Sequence, residues 1–200
     1  MFCAIVSPMA VMAGSAVAAA RQPPGYDPLR QTISALASQG ATDRWIMTGT
    51  LAVLGLGYVV IALGLGPVPV RGRVVLGGGG LAVLLVALLP QPAGASSPWH
   101  MDAATVGWVA FTLWPSVVCR RSAEPGLLGW RVSWIVTGTL FVLLGWFFVE
   151  LRSGGAHLGL AERVLVVAQT LWPLTVVLAL RRPAGTAHRV EPEELGSTDC

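Results

Sequence analysis

The chain lacks lysine altogether, and only 12% of its 200 residues are charged, against about 25% in soluble domains. No Asp, Glu, Lys, Arg or His stands in the middle of any of its long apolar stretches. A helix on the surface of a soluble protein keeps one polar face, whereas a helix immersed in lipid is apolar all round. With a mean hydropathy of +0.68, the composition excludes an ordinary soluble domain and indicates an integral membrane protein.

Cysteine is scarce as well. The three cysteines are Cys3, Cys119 and Cys200, and no Cys-x-x-Cys spacing occurs. Their spacing therefore excludes a zinc ribbon and gives no support for a disulfide framework. We expect no cofactor.

The apolar stretches predict an all-α, polytopic bundle of six transmembrane helices that occupies residues 1–182. Several stretches are shorter than the roughly 20 residues that cross a hydrocarbon core, so flanking residues must complete them. Residues 183–200 are rich in Pro, Gly, Glu and Thr, which predicts a disordered cytoplasmic tail. The predicted spans are 2–20, 45–65, 74–89, 103–118, 132–149 and 164–180.

The net charge of +3 comes from arginines near the predicted helix ends. Arginine in this position orients a protein in the bilayer, so we expect no nucleic-acid partner. Counting alternate loops puts eight arginines on the side of the two termini and five on the other side. Because cytoplasmic loops carry the excess, we expect a multi-pass protein of the cytoplasmic membrane with both termini inside.

The first stretch has a second interpretation. Residues 16–20 are small, as at the cleavage site of a signal peptide, but residues 1–8 carry no positive charge. An uncleaved first span is the prediction, and a cleaved signal peptide with five remaining spans is the alternative.

The longest loop, residues 21–44, contains the signals of a short helix. Asp27 suits the N-cap and Pro28 the first helical position, while Gly40 suits a stop. Leu29, Ile33, Leu36 and Ala37 then share one face of the helix. We therefore predict an extracytoplasmic amphipathic helix over about residues 28–39, lying at the membrane surface or capping the bundle.

In this loop the chain resembles a known family. The run GYDPLRQTISALA at residues 25–37, followed by Gly40 and Trp45, looks like the signature of bacterial membrane proteins catalogued as domain of unknown function 998. The PQP turn at 90–92 and His100 fit the same pattern more loosely.

The likeness covers most of residues 1–182. It implies six membrane helices and an uncleaved first helix, and it implies no activity.

Two stretches of the chain share landmarks. Arg73-Val74 and a Leu-Trp-Pro triplet at 113–115 recur 58 residues later, at Arg131-Val132 and at 171–173. His100 recurs 57 residues later as His157. Landmarks in the same order at nearly one offset predict two parallel copies of a helical hairpin, as in some transporters.

The candidate catalytic residues are Asp27, His100 and His157, all on the predicted outer side. Two imidazoles and a carboxylate with one open position form a plausible zinc or iron site, and such a metal could activate water for hydrolysis of a lipid amide or ester. Capping already explains Asp27, and His at a helix start is commonly an interfacial polar group. No metal is therefore expected, and a metal-dependent hydrolase is the alternative.

The candidate binding residues are Arg30, Ser34 and Gln169. Gln169 is the most polar side chain within the span cores, where coupled transporters usually bury a charge. The sequence thus argues against an ion pump and leaves a facilitator of a neutral solute as a second alternative.

The leading hypothesis is non-enzymatic, a membrane protein that binds a lipid, an apolar small molecule or a protein partner. Membrane lipids and a protein partner or second copy of the chain are the expected partners.

Overall fold

The computed structural model describes residues 2–119 and 128–181, which form six α-helices and one short 3₁₀ helix. The α-helices are α1 (Phe2–Ala20), α2 (Trp45–Gly64), α3 (Val70–Leu88), α4 (Pro98–Val117), α5 (Trp130–Ser153) and α6 (Leu158–Leu180). The 3₁₀ helix is Ser34–Ala37, in the loop between α1 and α2. The predicted all-α bundle is confirmed, and the predicted tail at 183–200 lies outside the described residues.

Each helix packs against its neighbour in the chain, and α6 also packs against α1, which closes the bundle into a ring. Helices α2 and α3 touch through their backbones at Gly55 and Gly80. A β-carbon added to either glycine would lie 2.7 Å from the carbonyl oxygen of the other. Small residues permit this approach, which is how helices associate in lipid.

Five helices within the described residues are long and apolar enough to cross a membrane, namely α1, α2, α3, α5 and α6. The sixth, α4, has the same length as α2 but carries His100 and Asp102 near its start. It packs against α3 and α5 and also touches α6. The chain is accordingly a multi-pass membrane protein of six helices.

Most helices are longer than the apolar stretches that predicted them. Helix α6 begins at Leu158 rather than at residue 164, and α4 begins at Pro98 rather than at residue 103. The apolar pattern located the lipid-immersed part of each helix and missed the polar first turns. In α6 those turns contain Glu162 and Arg163, which become part of the helix.

The loops 21–44, 89–97 and 154–157 meet at one end of the bundle, which we call the loop face. Here the predicted amphipathic helix over 28–39 is not confirmed, because a turn at 27–31 and the four-residue 3₁₀ helix stand in its place. Of the face predicted to be apolar, Ile33, Leu36 and Ala37 are buried and Leu29 is half exposed.

Helix α6 uses the backbone groups that an α-helix over 28–39 would need. The carbonyl oxygens of Pro28 and Gln31 accept from Arg163, and the carbonyl of Leu29 accepts from the Leu160 amide at 3.0 Å. The Ile33 amide donates to Glu162. Because these groups bond to α6, tertiary contacts override the local helical signal.

Candidate functional site

Arg163 fastens the long loop to α6. Its Nη1 donates to the carbonyl oxygens of Pro28 and Gln31 in the loop and of Gly159 in its own helix, and Nη2 donates to the Tyr26 hydroxyl at 2.7 Å. Charge-assisted hydrogen bonds of this kind are stronger than neutral ones. The guanidinium therefore serves as a clamp between the 26–31 turn and the start of α6.

Burial raises the pKa of the Tyr26 phenol, and the nearby charge of Arg163 opposes that rise. The phenol thus stays protonated at neutral pH, with its oxygen accepting from Arg163. Gly159 completes the contact, since a β-carbon there would overlap the carbonyl oxygens of Gln31 and Pro28. A glycine is required for the loop backbone to lie directly on the helix.

Glu162, the residue before the clamp, points in a different direction and is only 3% exposed. Its Oε2 accepts from the Ile33 amide and its Oε1 accepts from the Ser34 hydroxyl at 3.3 Å. Within residues 2–119 and 128–181, no cation forms an ion pair with this carboxylate. A buried acidic group held by neutral donors is costly, because burial removes a charge from water without a counter-charge.

A pocket of about 350 Å³ opens beside Glu162 at the loop face. Ser34, Ser38, Gln91 and His100 supply polar groups to its wall. Aromatic and aliphatic side chains supply the remainder, including Trp108, Phe147, Leu151 and Leu158. An apolar pocket of this size with a few convergent polar groups is the usual form of a small-molecule site.

His100 lines this pocket and has a ring nitrogen without a protein partner. The side chain is 1% exposed, and Nδ1 lies 2.7 Å from the carbonyl oxygen of Leu89. A carbonyl only accepts, so Nδ1 carries the proton and the neutral ring presents Nε2 as a lone-pair acceptor. Nε2 is buried without a protein partner. Buried polar atoms are nearly always bonded, so an orphaned nitrogen in a pocket wall points to a ligand or water.

A second cavity of about 60 Å³ lies deeper in the bundle. It shares Ser34, Trp108 and Glu162 with the loop-face pocket. Tyr58 and Gln169 line it farther in, and the Tyr58 hydroxyl is buried without a partner. A cavity of this size is large enough for a few water molecules or a short apolar group.

Of the predicted binding residues, Ser34 and Gln169 lie at these cavities and Arg30 does not. Gln169 lines the inner cavity, and its amide donates to the Trp108 carbonyl and the Thr112 hydroxyl, both at 3.0 Å. Arg30 is exposed and forms an ion pair with Asp27 at 3.5 Å.

The predicted catalytic residues are not brought together. Asp27 caps the 27–31 turn, its Oδ1 accepting from the Leu29 amide at 2.9 Å. His157 is exposed at the start of α6, whereas His100 is buried in the pocket wall. In the part of the chain that the structure describes, no three His, Cys, Asp or Glu side chains are arranged to hold a metal ion.

The sequence analysis assigned no role to Glu162 or Arg163. The available signal was an adjacent acid and base, Glu162 and Arg163, directly before an apolar stretch. One longer helix could include both the pair and the stretch. Trp108 and Tyr58 had no such signal, because an aromatic residue in an apolar stretch looks like packing.

One comparison with known proteins gives a match. The family model described as protein of unknown function DUF998 matches residues 4–179, so the chain belongs to that family. No curated protein matches the chain, and no solved structure does.

Proposed function

We propose that this chain, as a member of the DUF998 family, is a multi-pass protein of the cytoplasmic membrane that binds a small amphipathic molecule in its loop-face pocket. The observation that carries the proposal is the pocket wall itself. It combines the buried Glu162 carboxylate, the unpartnered Nε2 of His100 and a largely apolar remainder in about 350 Å³. Such a site fits a ligand with one polar end and one apolar end.

An apolar groove on the side of the bundle supports such a ligand. A groove of about 370 Å³ runs between α1 and α6, lined by Met12, Ala16 and Val167 among others. It shares Val11 and Val166 with the inner cavity. A molecule dissolved in the membrane would meet this groove laterally, which supports an amphipathic ligand and makes membrane lipids the proposed partners.

The arginine bias supports an orientation with the loop face outside. Arg71, Arg73, Arg131 and Arg181 lie near the opposite end of the bundle. At the loop face, Arg163 is engaged by the loop and is less available to the surface. We therefore propose that both termini are cytoplasmic and that the pocket opens to the extracytoplasmic side.

Native mass spectrometry tests the binding function on detergent-purified protein released from micelles. The variant Ala35→Trp fills the pocket from a half-buried position in its wall. Ala156→Trp adds the same ring at an exposed position on the same face, outside the pocket lining. We expect the wild type and Ala156→Trp to carry a small molecule of fixed mass that Ala35→Trp lacks. A wild type without a bound molecule, or one that both variants retain, would contradict the proposal.

Facilitated passage of a neutral solute is the second candidate, and the position of Gln169 favours it. This side chain lies midway along α6 and lines the inner cavity. Glycerol flux into proteoliposomes separates the two functions. A facilitator gives flux above empty liposomes that Gln169→Leu abolishes, whereas a binding protein gives none. The hydrolase alternative requires Asp27, His100 and His157 to converge, and we do not propose it.

A further inference from the structure

We infer, on the basis of the proposed binding function, that the polar end of the ligand is a primary ammonium group. It lies in the loop-face pocket between the Glu162 carboxylate and Nε2 of His100. The ligand is thus an amphipathic primary amine.

Glu162 is held by neutral groups of the chain. The donors that hold Glu162 are the Ile33 amide and the Ser34 hydroxyl, both neutral. Arg163 is the nearest cation in sequence, but its guanidinium is bonded to loop carbonyls and to Tyr26. A buried carboxylate is normally paired with a cation. The described part of the chain places no cation within ion-pair distance of this carboxylate, so a cationic ligand would supply that partner.

The pocket lining includes two hydrogen-bond acceptors. Glu162 and the Nε2 atom of His100 are both acceptors, and both residues line the same pocket. A ligand that satisfies both needs at least two donors. A primary ammonium has three N–H donors, a hydroxyl has one, and a carboxylate has none. A quaternary ammonium carries the charge but has no donor, so it would leave His100 unsatisfied.

The rest of the pocket is largely aromatic and aliphatic. Trp108 and Phe147 lie against each other in its wall, with ring centroids 4.6 Å apart. Aromatic faces attract ammonium groups, and Leu151, Leu158 and Met101 offer apolar surface to a hydrocarbon chain. The pocket thus matches an ammonium head and an apolar body together.

The competing explanation is that Glu162 serves only to hold Ile33 and Ser34 in place. Gln has nearly the same shape: its Oε1 can accept from the Ile33 amide, and its Nε2 can donate to the Ser34 hydroxyl, which accepts as well as donates. Glu162→Gln therefore separates a charge needed for a ligand from an acceptor needed for the loop.

The experiment uses four probes with the same six-carbon chain, measured by isothermal titration calorimetry on the full chain in lipid nanodiscs. The probes are hexylamine, hexyltrimethylammonium, hexanol and hexanoate, and empty nanodiscs correct for partitioning. We expect hexylamine to bind at least tenfold more tightly than each of the others. Equal affinity for hexylamine and hexanol would overturn the amine assignment while leaving the binding function intact.

The variants sharpen this result. Glu162→Gln is expected to weaken hexylamine binding at least tenfold and to leave hexanol unchanged. The matched control is Glu150→Gln, at the end of α5 and outside the pocket lining, which should bind hexylamine like the wild type. Undiminished hexylamine binding by Glu162→Gln would overturn the inference. If that variant does not fold, the ranking of the four probes on the wild type still decides whether the ligand is a primary amine.

Failure of all four probes to bind would also overturn the inference. The mass spectrometric comparison of the two tryptophan variants tests the binding function separately.

Discussion

The hairpin of α3 and α4 and the hairpin of α5 and α6 carry matching sequence landmarks in different surroundings. His100 is buried with Nδ1 bonded to Leu89, whereas His157 is exposed at the start of α6. Trp114 donates its indole N–H to the Gly72 carbonyl at 2.8 Å, but the indole N–H of Trp172 is buried without a partner. Equivalent positions in the two hairpins thus differ in burial and in hydrogen bonding.

The difference follows from the contacts that each hairpin makes with the loop between α1 and α2. The second hairpin has Glu162 and Arg163 where the 57-residue offset gives Thr105 and Val106 in the first. The acid and the base of the second hairpin bond backbone groups of the 26–33 segment. The second hairpin therefore holds the loop, while the first contributes His100 to the pocket that the loop covers. The matching landmarks therefore locate the helices, whereas the contacts with the covering loop differ between the two hairpins.

Removal of the clamp should have the largest effect on stability. Arg163→Gln deletes charge-assisted bonds to Pro28 and Gln31, and we expect a loss of about 3 kcal/mol in the free energy of unfolding. Arg152→Gln, at an exposed position on α5, is the control and should change little. Unfolding in mixed micelles measures both variants, and hydrogen exchange at residues 26–33 should rise in Arg163→Gln alone. Equal stability would show that the clamp contributes nothing.

The close approach of the loop to α6 makes Gly159 the next most sensitive position. Gly159→Ala places a methyl group against the carbonyls of Gln31 and Pro28, and we expect a loss of about 2 kcal/mol. Gly78→Ala in the first hairpin meets no atom within 4 Å and should gain about 0.5 kcal/mol from helix propensity. The two values come from the same unfolding assay. A neutral Gly159→Ala would mean that the loop does not rest on α6.

The paired tryptophans give a smaller and more specific comparison. Trp114→Phe and Trp172→Phe delete the same atoms, but only the first removes a hydrogen bond. Trp114→Phe should therefore be about 1 kcal/mol more destabilising than Trp172→Phe. Equal losses would remove the hydrogen-bond difference between the two hairpins.

Asp27→Asn should have the smallest effect. Asn caps a turn about as well as Asp, and the ion pair with Arg30 is exposed, so we expect a change below about 0.5 kcal/mol. Metal content measured on the same preparations should not depend on residue 27. Loss of a stoichiometric metal in Asp27→Asn would restore the hydrolase hypothesis.

The sequence predicted the helices well because lipid imposes a simple rule on them, an apolar surface all round over some twenty residues. It predicted the site only in part. Ser34 and His100 were named as candidates, yet their setting depends on Glu162, which is 128 residues from Ser34 in the chain. A pairing of that separation leaves no periodic pattern to recognise.

The glycines show the same limit. Gly49 and Gly138 occur in similar Thr-Gly-Thr runs that suggest close helix contact, but a β-carbon on either would meet nothing within 4 Å. Gly55 and Gly80 have no such motif and mark the backbone contact between α2 and α3. Which small residue faces a neighbouring helix depends on helix rotation, and apolar stretches without a polar face do not fix that rotation.

The most direct test of the account is an experimental structure of the protein extracted from its own membranes into nanodiscs. We predict density for a bound molecule in the loop-face pocket, with a polar end within hydrogen-bonding distance of both Glu162 and Nε2 of His100. Ser34 and Ile33 should keep their bonds to the same carboxylate. A pocket closed by protein side chains, with Glu162 paired to an arginine of the chain, would contradict the account.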